Sequence, residues 1–241
     1  MEIKRYTEDS ITLEFGEEIS PELNKQIVNT RKYIDSLELE NVIETVISYT
    51  RLVIYYDPLR MNATKLIQII EQIDSKKISQ EDYAYRVVEI PVCYGGEYGP
   101  DLPLFEETGL STEEVIQRHA HKEYLVYMLG FMPGFVYLGG LDEKLFKDRL
   151  ESPRTNIQAG SVGIAGQQTG VYPFNSPGGW NLIGRTPINL YDLRRGEETI
   201  LYDAGDRILF RPITSDEFTA IEKEVEKGTY KVKVEVKGDV K

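Results

Sequence analysis

The 241-residue chain carries 40 acidic and 28 basic residues, a formal net charge of −12. That balance sets aside duplex nucleic acid as a partner, because neutralising phosphates needs clustered Lys and Arg. A hydrophobic fraction of 41% predicts a packed core, and no stretch approaches the roughly 20 apolar residues of a membrane-spanning helix. The start, MEIKRYTEDS, lacks an apolar leader, and the single cysteine, Cys93, permits no internal disulfide, so the expected location is the cytoplasm.

Along the chain, Ile11, Leu13 and Phe15 alternate with polar residues as a half-buried strand does. Ser20 followed by Pro21 predicts a helix start, and Leu23, Ile27, Thr30, Ile34 and Leu37 mark its buried face. Two β-branched runs follow, Val42 to Ile47 and Arg51 to Tyr56. Asn62 caps a second helix with Leu66, Ile69, Ile70 and Ile73 inward, and Arg86 to Val92 reads as another strand. The order β-α-β-β-α-β predicts a ferredoxin-like α+β domain over residues 1–85.

The remainder, residues 86–241, has shorter runs, and eleven of the 20 glycines and five of the 11 prolines fall between Gly130 and Pro187. Short strands joined by Gly/Pro turns predict a barrel or sandwich. Ser111 with Glu114 forms a capping box, and Thr214 with Glu217 repeats it before a helix that Gly228 closes. Alternating Tyr230, Val232, Val234 and Val236 predict a final strand exposed on one face.

The chemistry-bearing stretch is the same Gly- and Pro-rich one. From Ser152 to Tyr191 there is no Asp or Glu, and the only charges are Arg154 and Arg185, whose guanidinium forks suit a carboxylate or phosphate. Phe131, Phe135, Tyr172 and Trp180 offer apolar walls, while Gln168, Thr169, Ser176 and Asn181 offer neutral hydrogen-bonding groups. This is the composition of a small-molecule or peptide pocket, and equally of a barrel corner whose aromatics fill the core. His119 can border a cleft as a proton shuttle or serve structure; His119 and His121, two apart, do not make a metal site, and none is expected. Cys93 has no neighbouring base and is expected to be a buried, inert thiol. No Walker-type nucleotide loop occurs.

The segments IPVCYGGEYGPDL (90–102), HAHKEYLVYMLGFMPGFVYLGG (119–140), SPRTNIQAGSVGIAGQQTGVYPFNSPGGWNLIGRTP (152–187) and AGDRILFRPI (204–213) resemble the KipI / PxpB family, also called allophanate hydrolase subunit 1. His121 and Lys122 occupy positions that usually differ in that family, and Gln167 stands where Gly is common. The resemblance implies a ferredoxin-like N-terminal domain and a cyclophilin-like β-barrel. It implies the B component of a bacterial ATP-dependent 5-oxoprolinase, a lactam hydrolase inactive alone, which opens 5-oxoproline to glutamate with A and C components. No cofactor would be bound by this chain itself, and ATP would be consumed by the complex. In that reading Arg154 or Arg185 takes the substrate carboxylate or a phosphorylated intermediate. Gln168, Thr169, Tyr172 and Ser176 orient the lactam, and His119, Phe131, Pro133, Phe135 and Trp180 form a wall or a partner contact. The alternative within the family is an inhibitor that binds the dimerisation domain of a sporulation sensor histidine kinase, with Phe131, Phe135 and Trp180 as anchors. A prolyl isomerase ranks below both, since no cyclophilin-type catalytic motif is present.

Overall fold

A computed structural model describes residues 1–73, 78 and 84–238. The chain divides into two compact units, Met1–Ala84 and Tyr85–Lys237.

The first unit is an antiparallel sheet of β1 (Glu2–Arg5), β2 (Ser10–Glu14), β3 (Val42–Ser48) and β4 (Arg51–Tyr56), in the order β1-β2-β4-β3. Helix α1 (Pro21–Ser36) packs over β3 and β4, and α2 (Ala63–Glu71) over β1 and β2. Both helix starts follow the sequence. The Ser20 hydroxyl accepts from the Leu23 amide at 3.1 Å, and Asn62 Oδ1 accepts from Thr64 at 2.8 Å. Ile11, Leu13, Ile27, Ile34, Leu52, Ile54, Leu66 and Ile70 form the buried interior, whereas Leu37, at the helix C-cap, is exposed.

The strand expected from Arg86 to Val92 does not join this sheet. Its place beside β2 is held by β1, whose sequence EIKR gives only Ile3 as an apolar side chain on an exposed edge. The element order is therefore β-β-α-β-β-α. The physical reason lies in the strand itself: Val87, Val88, Ile90, Val92 and Cys93 are all buried, so both of its faces need cover.

That cover is the second unit, built on β5 (Tyr85–Tyr94), β6 (Glu123–Leu129), β7 (Val136–Gly139), β8 (Arg154–Ile157), β9 (Ser161–Ala165), β10 (Gln168–Val171), β11 (Ser176–Gly178), β12 (Asn181–Arg185), β13 (Arg207–Ile213) and β14 (Val234–Lys237). Seven of these close into a barrel in the order β12-β9-β10-β7-β6-β13-β5, sealed by pairing of β12 with β5. β13 runs parallel to β5, and β14 pairs with the first half of β5 on the side that β12 takes at its end. Only Val234–Lys237 of the expected final strand is extended pairing; Tyr230 and Val232 instead pack against the barrel core. β8 and β11 form a separate ribbon with a bulge between Ser176 and Gly178.

Helix α3 (Thr112–Ala120) carries the complete Ser111–Glu114 capping box, with Leu110 and Val115 buried beside it. Helix α4 (Ser215–Glu226) starts on Thr214, which accepts from the Glu217 amide at 3.2 Å, and Gly228 leaves it at φ 70°. The turn into β13 is locked by Asp206, 7% exposed, which takes the Arg86 amide at 2.9 Å and its guanidinium at 2.7 Å.

Candidate functional site

His119 ends α3 inside the barrel with no solvent exposure. Its Nδ1 lies 2.7 Å from the Tyr94 hydroxyl and its Nε2 lies 2.8 Å from Thr169 Oγ1, which itself donates to the Gly163 carbonyl at 3.0 Å. One set of roles satisfies every atom: Tyr94 donates to Nδ1, Nε2–H donates to Thr169, and Thr169 donates onward. The Tyr124 hydroxyl donates to the His119 carbonyl at 2.8 Å, and Phe210 stacks on the imidazole at 4.6 Å. Burial pushes the His119 pKa down to about 3, so the ring is neutral in the folded chain. This is a sealed polar core. Thr169, expected to orient a substrate, has its hydroxyl engaged on both sides in that core.

The aromatic wall is sealed as well. Phe135, Tyr172 and Trp180 are 2–4% exposed and meet edge to face at 5.3–6.2 Å. Neither Phe135 nor Trp180 can be a surface anchor in this state. Gly170 serves this packing: a Cβ there would lie 2.7 Å from the Val136 carbonyl and 3.0 Å from the indole of Trp180. Its missing side chain admits a ring rather than a ligand. Only the tip of the turn is outside. Phe131 is 65% exposed at φ 70°, an uncommon backbone region for an aromatic, and Pro133 beside it is also exposed.

The two arginines differ in kind. Arg154 Nη2 donates to Asp101 Oδ1 at 2.6 Å, and the other oxygen of Asp101 accepts from the Leu182 amide at 2.6 Å. Asp101, outside the acid-free window, thus neutralises one of its two cations. Arg185 has no such partner: Nε donates to the Ala159 carbonyl at 3.0 Å and Nη1 to Gln158 Oε1 at 2.8 Å. Among the described residues it forms no ion pair, and its guanidinium sits 5.6 Å from the Phe218 ring centre.

Ser176 lies on the ribbon that also carries Arg154. It pairs with Ile157, next to the Gln158–Ala159 turn, and Asn175 Oδ1 accepts from the Ala159 amide at 2.8 Å. Ser176 Oγ and Arg154 Nη1 are buried atoms with no hydrogen-bond partner among the described residues. Gln168 lies elsewhere. It pairs with Ala165 while Arg185 pairs with Ser161, the opposite end of β9, about 13 Å away at the usual rise of a strand. Cys93 is buried and burial pushes its thiol pKa up, as an inert thiol requires. No group of three or more His, Cys, Asp or Glu among the described residues is placed to hold a metal ion.

Nothing in their sequence surroundings singles out Asp101 or Tyr94. Both sit in the segment 90–102, and their partners lie 53 and 25 residues away.

Residues 1–201 match the model of the carboxyltransferase domain, subdomain C and D. The chain belongs to this family. It is 40% identical to the B component of the 5-oxoprolinase of Bacillus subtilis (strain 168), over 92% of this chain and 97% of that protein. It is 44% identical to the component of the same name in Haemophilus influenzae, over 71% of this chain and 79% of that one. Among solved structures, TTHA0988 is 36% identical with a TM-score of 0.75 over 86% of this chain, which spans only 40% of that longer chain. PH0987 of Pyrococcus horikoshii is 39% identical with a TM-score of 0.53, covering 90% of this chain and 99% of that one. The urea amidolyase of K. lactis shares the fold alone, at 19% identity and a TM-score of 0.78 over 98% of this chain and 16% of that one.

Proposed function

We propose that this chain is the B component of an ATP-dependent 5-oxoprolinase, opening the lactam of 5-oxoproline to glutamate together with the A and C components. The observation that carries the reading is the 40% identity to the Bacillus subtilis protein along 97% of its length. The chain binds no cofactor of its own in this reading, works in the cytoplasm, and is inactive without its partners. The barrel is the cyclophilin-like domain. The N-terminal unit is a ferredoxin-like sandwich whose edge strand comes from the chain start.

The geometry supports a division of labour within the candidate residues. Arg185, held by neutral acceptors, is the carboxylate or phosphate receptor, and Ser176, paired with the residue before Gln158, is a second polar group of the region. Arg154 is the structural arginine, because Asp101 already neutralises it. Phe131 and Pro133, exposed at the tip, are the partner contact. The kinase-inhibitor reading gains no comparable support: the curated relatives above are named 5-oxoprolinase components.

The test is reconstitution. The chain is mixed with its presumptive partner proteins and 5-oxoproline, and ATP-dependent glutamate release is followed. Activity is expected only with the full set. Arg185→Met should abolish most of it while the variant still melts as a folded protein. Silence with cognate partners would overturn the function, and full activity of Arg185→Met would overturn the site.

A further inference from the structure

A cavity of about 440 Å³ opens in the barrel unit, between the 188–201 segment and the strap that follows α4. None of its lining residues belongs to the Arg154–Arg185 region. Its volume falls in the range of small-molecule sites. Ile188, Leu201, Val225 and Val232 give it an apolar wall, and Arg195 and Lys231 stand on its polar side.

The two adjacent arginines of this cavity are used differently. Arg194 is latched: it forms a fork on Asp192, at 2.6 Å and 2.9 Å, and reaches the Val225 and Glu226 carbonyls at the end of α4. A cation at a helix C-terminus is stabilising there. Arg195 is different. Its Nε and Nη2 donate to the backbone carbonyls of Glu198 and Thr199 at 3.1 Å and 3.0 Å, and among the described residues it forms no ion pair. Burial pushes its pKa down and outweighs the nearby Asp192 and Glu198 carboxylates, which act to raise it. A half-buried cation whose own hydrogen bonds go to backbone carbonyls, beside an apolar wall, is the complement of an amphipathic anion.

We infer that this cavity binds a small carboxylic acid with an aliphatic tail, its carboxylate on Arg195 and its tail on the Ile188–Val232 wall. The charge of the lining selects the headgroup. Asp192 and Glu198 also face the cavity, so a dianionic phosphate meets repulsion that a monoanionic carboxylate meets less. The ligand would tie the strap at Tyr230–Val234 to the 188–201 segment. The inference is independent of the oxoprolinase reading and survives its failure.

The probe is hexanoate, titrated into the full chain at constant ionic strength and read by ligand-observed NMR and melting temperature. Saturable binding with a raised melting temperature is expected, with hexanol at least tenfold weaker. Arg195→Met should weaken hexanoate about tenfold, a 1.4 kcal/mol loss. Lys231→Glu, at an exposed position where folding is not at stake, should weaken it in the same direction. Arg185→Met, which removes the separate carboxylate receptor proposed above, should leave the Arg195-dependent binding in place. Unsaturable binding, equal affinity for hexanol, or retention in both Arg195→Met and Lys231→Glu would overturn the site.

Discussion

Two aromatic assemblies sit in the barrel unit, and they look alike in composition. Around His119, the rings of Tyr94, Tyr124 and Phe210 enclose a polar chain in which every donor has an acceptor. Around Phe135, the rings of Tyr172 and Trp180 pack edge to face with one member, Phe131, left in solvent. The first is closed, so its chemistry is stability. The second is closed except at a tip, and only that tip can meet another molecule. Rings and hydroxyls therefore do not announce a pocket; satisfaction and exposure decide.

The largest losses of stability are expected where buried polar partners are removed, near these assemblies or within them. Asp101→Ala should be the most damaging change, about 3–5 kcal/mol in urea unfolding, because Arg154 and the Leu182 amide both lose a buried partner. Arg154→Met, which removes the charge from the other side and keeps the stem, should lose less. His119→Leu should follow, at about 2–4 kcal/mol, with the Tyr94 hydroxyl and Thr169 left unmatched. An equal loss in Phe131→Ala would contradict the distinction between sealed and exposed rings.

His119 also gives the contrast a pH signature. Its folded pKa is held near 3 by burial, below the ordinary value near 6.5, so the unfolded chain binds the extra proton between those values. The stability it supports is complete above pH 6.5 and is lost as pH falls toward 3, by up to about 1.4 kcal/mol per unit. Unfolding curves of His119→Gln should lack that component of the slope. A slope unchanged by the substitution would mean the ring is charged or exposed in the native state.

The smallest stability effect is expected at the tip. Phe131→Gly should be neutral or stabilising by about 1 kcal/mol, since glycine accepts φ 70° without strain. The same change should weaken assembly with the partner proteins in sedimentation, where Phe135→Leu would act only through stability. Retained assembly in Phe131→Gly would remove the tip from the interface.

What the sequence makes legible is local. The caps at Ser20, Asn62, Ser111 and Thr214, the glycine stop at Gly228 and the burial of Cys93 are written in neighbouring residues, and the structure contains each of them. Pairings across the chain are not legible in the same way. Arg86 to Val92 follows a helix and so reads as the last strand of the first sheet, whereas its partners are residues 207–212 and 234–236. β1 gives almost no signal, because EIKR carries one apolar residue. The acid-free window reads as uniformly cationic, yet Asp101, 53 residues from Arg154, enters it in space. Distance along the chain hides the very residue that tells the two arginines apart.

The barrel's seam has a kinetic consequence. Its first strand, β5, is joined by β12 at its end and lies parallel to β13, so closure must bring residue 87 beside residue 207. Such long loops add entropy to be overcome before any contact rewards it, and folding slows as sequence separation grows. The local hairpins β6–β7 and β9–β10 can pair early, but β5 presents two apolar faces to its surroundings until the last third of the chain arrives. Refolding of this unit should be slow and concentration-sensitive, and a chain cut before β13 should aggregate rather than form a smaller barrel.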